Sequence, residues 1–230
     1  MTMKSSMAIC LMLTSLIATS CSDKNSPNEG SSTETPTSSA SFPYPPLEFR
    51  WDIAVPLDAQ AEAAAKAALE TAALEDRMRA HEDAALIPQI NSRVTYDRRW
   101  TSDGIRQLPE TGGSLTRAVD VNKTSDNQWT VTYCVYNTPG AYAAGDNGQL
   151  RLSNPNWKYT PYADVVALTS ERSGTGETSP TPRLLVTAAP ARPELQTYPG
   201  VPNDLPRQTC EPFMPNPFIQ QPPAPLPAGK

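Results

Sequence analysis

Apolar residues follow several different rhythms along this chain, and each predicts a different kind of segment. From Met7 to Ala18 they run almost unbroken (MAICLMLTSLIA) behind a single positive charge at Lys4. Thr19 and Ser20 then place small residues before Cys21. That is the layout of a secretory signal, residues 1–20, with a cysteine at the processing point. The run is too short to cross ~30 Å of hydrocarbon comfortably, so it predicts a leader and not a permanent span. Residues 21–50 are poor in apolar groups and rich in Ser, Thr and Pro. Such a stretch cannot bury enough surface to offset its ordering entropy and reads as a disordered tether. Its typical reach is about 30 Å.

A helical rhythm follows. Asp58 can cap a helix that continues to about Ala85 through Ala, Leu, Glu, Lys, Arg and Met, all good helix formers. Leu57, Ala61, Ala64, Ala68, Ala72 and Glu75 step along one stripe, Leu69, Ala73 and Leu74 widen it, and Met78, His81, Ala85 and Leu86 continue the buried side. Glu62, Lys66, Glu70 and Arg77 occupy the opposite side, and Pro88 ends or bends the helix. A stripe of small residues suits close packing on a sheet. Val94–Thr95–Tyr96 then reads either as a short strand or as the end of a second helix from Pro88.

Beyond this point the period falls to two. Ser114–Val121 alternates, and Gln128–Tyr136 (QWTVTYCVY) alternates more strongly. Trp129, Val131, Tyr133 and Val135 point one way, and Thr130, Thr132, Cys134 and Tyr136 the other. The polar NKTSDN between the two runs makes them an antiparallel hairpin, and Asn137–Thr138–Pro139–Gly140 reads as its stop. Ala163–Thr169 and Arg183–Ala188 form a further pair. Residues 140–160 are longer than most hairpin loops and read as an exposed insert, a candidate contact surface. From Glu211 to Lys230 the chain is Pro-rich again and predicts an extended, disordered tail. One α+β domain, residues 51–210, therefore stands between two disordered tails, with a long N-terminal helix packed on a curved antiparallel sheet.

Composition narrows the function classes. The 25 prolines are about twice ordinary usage and cluster toward the two ends, so only the middle can build a core. A formal charge of −5 without a basic cluster argues against nucleic acid. It also argues against adhesion to acidic lipid headgroups. Of four cysteines, Cys10 leaves with the leader and Cys21 sits at its end, so Cys134 and Cys210 remain. In an exported chain that pair reads as a disulfide, the other readings being two buried thiols or a catalytic thiol.

Candidate chemistry is sparse. His81 is the sole histidine, so any Ser/His/Asp or Cys/His relay would have to be built around it. Its position near a helix end suits a role at an interface or as a partner of the helix dipole. No metal-ligand or phosphate-loop spacing occurs, and no cofactor is implied. Asp103, Glu110, Asp120 and Asp164 could converge in a cleft, yet no spacing singles out a pair. The aromatics Tyr142, Trp157, Tyr159 and Tyr162, in and beside the insert, are candidate contacts for a sugar or a protein partner, or else caps on the sheet.

Two resemblances add to this. The apolar run closing on Thr19–Ser20–Cys21 resembles the lipobox of bacterial lipoproteins, although Ala18 stands where Leu, Val or Ile is usual. It implies lipidation of Cys21 and a place on the extracytoplasmic face of the cell membrane, with an envelope protein or small ligand as partner. The helix from Asp58 to Ala85, the strand Trp129–Tyr136 and the late Cys210 resemble the NTF2-like or cystatin-like domains of actinobacterial lipoproteins. In such relatives a similar strand cysteine pairs with one near the domain end, which implies a Cys134–Cys210 bridge. The resemblance implies a binding domain without catalysis. The alternative is an enzyme of the SnoaL type, with a pocket carboxylate near Asp103 or Asp120 as general base. A third reading has the Pro-rich tail gripping a partner's aromatic groove.

Overall fold

The computed structural model describes residues 42–81, 83–101, 110–145, 148–189 and 204–227. The described residues form an α+β fold, with a mixed six-stranded sheet and three helices. Among the described residues a strand, and not a helix, comes first. β1 (Glu48–Ile53) precedes α1 (Ala59–His81), so residues 42–50, expected in the tether, belong to the fold. The segment EFRWDI alternates strictly, with Phe49, Trp51 and Ile53 packing toward the helix and charged residues between them. It pairs in parallel with β2 (Glu110–Ser125), from Glu48 opposite Gly113 to Ile53 opposite Ala118. The expected purely antiparallel sheet is therefore corrected to a mixed one, because α1 carries the chain back across the sheet before β2 begins.

Asp58 starts α1 as its residue type requires, its carboxylate accepting from the amides of Gln60 and Ala61 at 2.9 and 2.8 Å. The helix stops at His81, short of the expected Ala85. A 3₁₀ turn (Ala84–Leu86) and α2 (Ile87–Asn91, with Pro88 in its first turn) follow. Val94 and Thr95 then form single bridges to Val186 and Ser173, so the segment after Pro88 is helix first and strand-like afterwards.

β2 and β3 (Gln128–Ala144) make the expected hairpin around Asp126–Asn127. Asn137–Thr138–Pro139–Gly140 does not end β3. The strand passes through it because Gly140 takes φ +104° opposite Gly113, and Gly112 takes +95° beside it. A Cβ on Gly112 would collide with the Gly140 carbonyl oxygen. Part of the expected insert is consequently sheet: β4 (Leu150–Leu152) pairs with the end of β3, and β5 (Tyr159–Thr169) begins within it. β6 (Arg183–Ala188) closes the order β1-β2-β3-β5-β6, with β4 off this path.

Both faces of β3 are covered. On one, Trp129, Val131 and Tyr133 meet the α1 stripe, where Ala64, Ala65, Ala68 and Leu69 have no exposed surface. On the other, Cys134 and Tyr136 meet α3 (Leu205–Cys210) and the chain after it, with Phe213, Met214 and Phe218 packed alongside. The Cys134–Cys210 disulfide joins strand and cover, and the Tyr136 hydroxyl donates to the Cys210 carbonyl at 2.6 Å. The expected disordered tail is thus corrected over residues 211–227. Gln221 N–H donates to the Pro139 carbonyl, and Leu226 N–H to Pro43, at 3.0 and 2.7 Å. Prolines suit this path because an extended strap over a finished sheet needs few amide donors.

The disulfide closes a span of 76 residues. Cys134→Ala/Cys210→Ala is expected to lower unfolding free energy by about 4 kcal/mol in urea denaturation. It should also open the chain around residues 211–227 to protease before the rest. Unchanged stability would mean that packing alone holds the outer cover.

Candidate functional site

Period-two alternation on β5 puts Tyr162 and Asp164 on the face that meets α1, an inward position for a carboxylate. Asp164 is 5% exposed. Its Oδ2 accepts from the Tyr133 hydroxyl at 3.1 Å, and Oδ1 lies 3.6 Å from Arg98 Nη1. The Tyr162 ring stacks on Tyr133 with centroids 5.7 Å apart. The last turns of α1 complete the cluster. Glu75 accepts from Trp100 Nε1 at 3.0 Å and stands 3.9 Å from both Arg79 and Arg98. Asp76 pairs with Arg79 at 2.8 Å, and the Arg79 guanidinium covers the Trp100 ring. Asn91 clamps Trp100 from both sides, donating to its carbonyl and accepting from its amide.

Burial governs the electrostatics. It pushes the Asp164 carboxyl up to about 6, against the pull of Arg98 and with a further push from Glu75. Burial also raises Asp76, with Arg79 drawing it back. The Tyr133 phenol moves well above its ordinary value, first through burial and then through the Asp164 charge. Chemically, the cluster offers a carboxyl able to take or release a proton near pH 6, held by a tyrosine and an arginine.

Of the candidate carboxylates, only Asp164 lies here. Glu110 accepts from Ser153 at the other end of the hairpin, Asp120 is exposed beside Asn122, and Asp103 is outside the described residues. The three that are described do not converge. Cys21 is also outside the described residues. The four aromatics divide between places. Tyr142 is buried, its hydroxyl donating to the Pro139 carbonyl, and Tyr159 meets Tyr136 edge-on and donates to Glu211. Trp157 is 44% and Tyr162 47% exposed, on different parts of the surface. Sequence reading missed Tyr133, Arg98, Glu75 and Asp76 as a group. The available signal was a carboxylate in phase with Val166 on an otherwise apolar strand.

Two clefts flank β1. One, of about 490 Å³, is lined by Leu47, Phe49, Arg50, Arg77 and His81, and places His81 edge-on to Phe49. The other, of about 500 Å³, lies on the opposite face among Trp51, Asp52, Arg117, Pro139, Pro217 and Ile219. In its wall Arg117 holds Asp52 through two bonds of 2.7 Å and donates a third to the Phe213 carbonyl. Among the described residues, no helix is long and apolar enough to cross a membrane, and no cluster of three metal-ligating side chains occurs. No family model, curated protein or solved structure matches the chain.

A carboxyl raised on folding binds its proton more tightly in the native than in the unfolded chain. Its stabilising contribution is full below the unfolded pKa near 4 and is lost as pH rises through about 6. Unfolding free energy should therefore fall from pH 4 to pH 6, by on the order of 2–3 kcal/mol from Asp164. Asp164→Asn should flatten most of that slope, Asp76 leaving a remainder of the same sign. Urea midpoints across this range check it, and an equal slope in the variant would place the titration elsewhere.

Proposed function

We propose that the chain is an exported lipoprotein, held on the extracytoplasmic face of the cell membrane through lipid on Cys21. In this reading its α+β domain binds an envelope protein or a small ligand without catalysis. The buried Cys134–Cys210 bridge carries the proposal. Such bonds persist in oxidising compartments, and the pairing leaves Cys21 as the unbridged cysteine after the leader. The filled contact between α1 and the sheet supports binding over turnover, since Ala64, Ala68, Leu69, Val131 and Val166 leave no exposed surface between them. The likeness in element order to NTF2-like or cystatin-like domains belongs to the same proposal.

One observation favours a second reading, an enzyme with a pocket carboxylate as general base. Asp164 is a carboxyl with its pKa raised to about 6 and a tyrosine on one oxygen. Against it, the Asp164 side chain is only 7% exposed and already engaged by Tyr133 and Arg98. Binding is therefore the preferred function.

Intact mass and detergent partitioning of the chain, with and without Cys21→Ala, test the anchor. A lipid-sized mass increment and detergent-phase partitioning, both lost in the variant, are the expected results. An unlipidated, freely released product would sink the anchor and leave a diffusible binding protein.

A further inference from the structure

The two outermost strands of the sheet are finished differently. β6 is capped: Val186 N–H donates to the Arg93 carbonyl, and the Val186 carbonyl accepts from Thr95 N–H, at 2.9 and 3.1 Å. β1 pairs on one side only among the described residues. Ala54 N–H donates to the Ala118 carbonyl, which fixes the phase of the ladder. The even-numbered backbone groups of β1 address β2, so N–H and C=O of Phe49, Trp51 and Ile53 point away from the sheet. A row of unused donors and acceptors is a template for another strand.

We propose that β1 is a homodimerisation edge, on which the β1 of a second copy adds in antiparallel register about a two-fold axis at Trp51. This goes beyond the binding function proposed above and does not depend on the lipid. The sequence of the strand selects the occupant. With Trp51 opposite Trp51, the outward-facing residues form every hydrogen-bonded pair: Trp51 with its equivalent, and Phe49 with Ile53 twice. The intervening pairs are Arg50 with Asp52, also twice, so opposite charges face each other across both halves. These fall on non-hydrogen-bonded positions, where opposing side chains come closest. Arg50 is exposed and has no ion-pair or hydrogen-bond partner among the described residues, whereas Asp52 is already oriented by Arg117. The edge therefore holds a fixed acceptor and a spare cation spaced to serve a copy of itself. The clefts on the two faces of β1 give incoming side chains room, Ile53 opposite Phe49 on the helix side and Arg50 opposite Asp52 on the other. Such an edge contact is small, and the dimer is one that dissociates on dilution.

Sedimentation equilibrium on the exported full chain with its disulfide intact tests this. A Cys21→Ala background removes any lipid and leaves an introduced cysteine as the free thiol after the leader. A concentration-dependent dimer is expected, and Arg50→Glu should weaken it about tenfold by setting like charges opposite each other. Its unfolding curve should stay unchanged, because Arg50 has no partner among the described residues of the monomer. Spin labels on Glu48→Cys should report a separation of about 20 Å in the proposed register. A chain that stays monomeric at every concentration overturns the proposal. So does a dimer indifferent to Arg50→Glu, or a label separation under about 10 Å, which belongs to a register centred on Phe49.

Discussion

A strand buried on both faces has to be covered twice, and the shape of this molecule follows from how β3 meets that demand. Trp129, Val131 and Tyr133 are buried on one side and Thr132, Cys134 and Tyr136 on the other, so neither set serves as the solvent side of an ordinary half-buried sheet. The inner set is met by α1, whose alanines allow the helix to lie close. The outer set is met from the far end of the chain, by α3 and the strap that follows it. An isolated proline-rich strap has little order of its own, and the Cys134–Cys210 bond lets a modest patch made by Phe213, Met214 and Phe218 hold it in place. Arg117 works to the same end by polar means, tying Asp52 of β1 and the Phe213 carbonyl to one guanidinium on β2.

The inner layer changes character along α1. Near its start the contact is hydrocarbon against hydrocarbon, while its last turns set Glu75, Asp76 and Arg79 against Arg98, Trp100, Tyr133 and Asp164. Partly dehydrated charges are costly unless each finds its counterpart, and here acids and arginines interleave with the indole and phenol donors between them. Such a network fixes one arrangement of the segment after α2 relative to the sheet, because a shift of Trp100 would strand Glu75 and Asn91 together.

What could be read from the sequence was whatever repeats locally. The α1 stripe, the β2–β3 alternation and the cap at Asp58 each lie within one window, and the bridge needed the count of cysteines together with the expected leader. β1 also alternates strictly, but its proline-rich approach made residues 42–50 look like tether. The stop expected at Asn137–Gly140 rested on residue types that usually turn, and a glycine opposite a glycine let the strand continue instead. Prolines in the last segment concealed apolar residues that have a destination only once the outer face of β3 exists. The cluster at Asp164 draws on α1, the segment near Arg98, β3 and β5, and no short-range rule joins positions so far apart. Asp103 and Cys21, two residues to which sequence reading gave chemistry, lie outside the described residues.

The hydrogen bond from Leu226 to Pro43 places the entry and exit of the folded part side by side. Tension applied at Phe42 and Pro227 would therefore cross one amide contact before it reached the sheet. The same neighbourhood makes this a fold whose ends could be joined by a short linker and reopened elsewhere, leaving the layers in place.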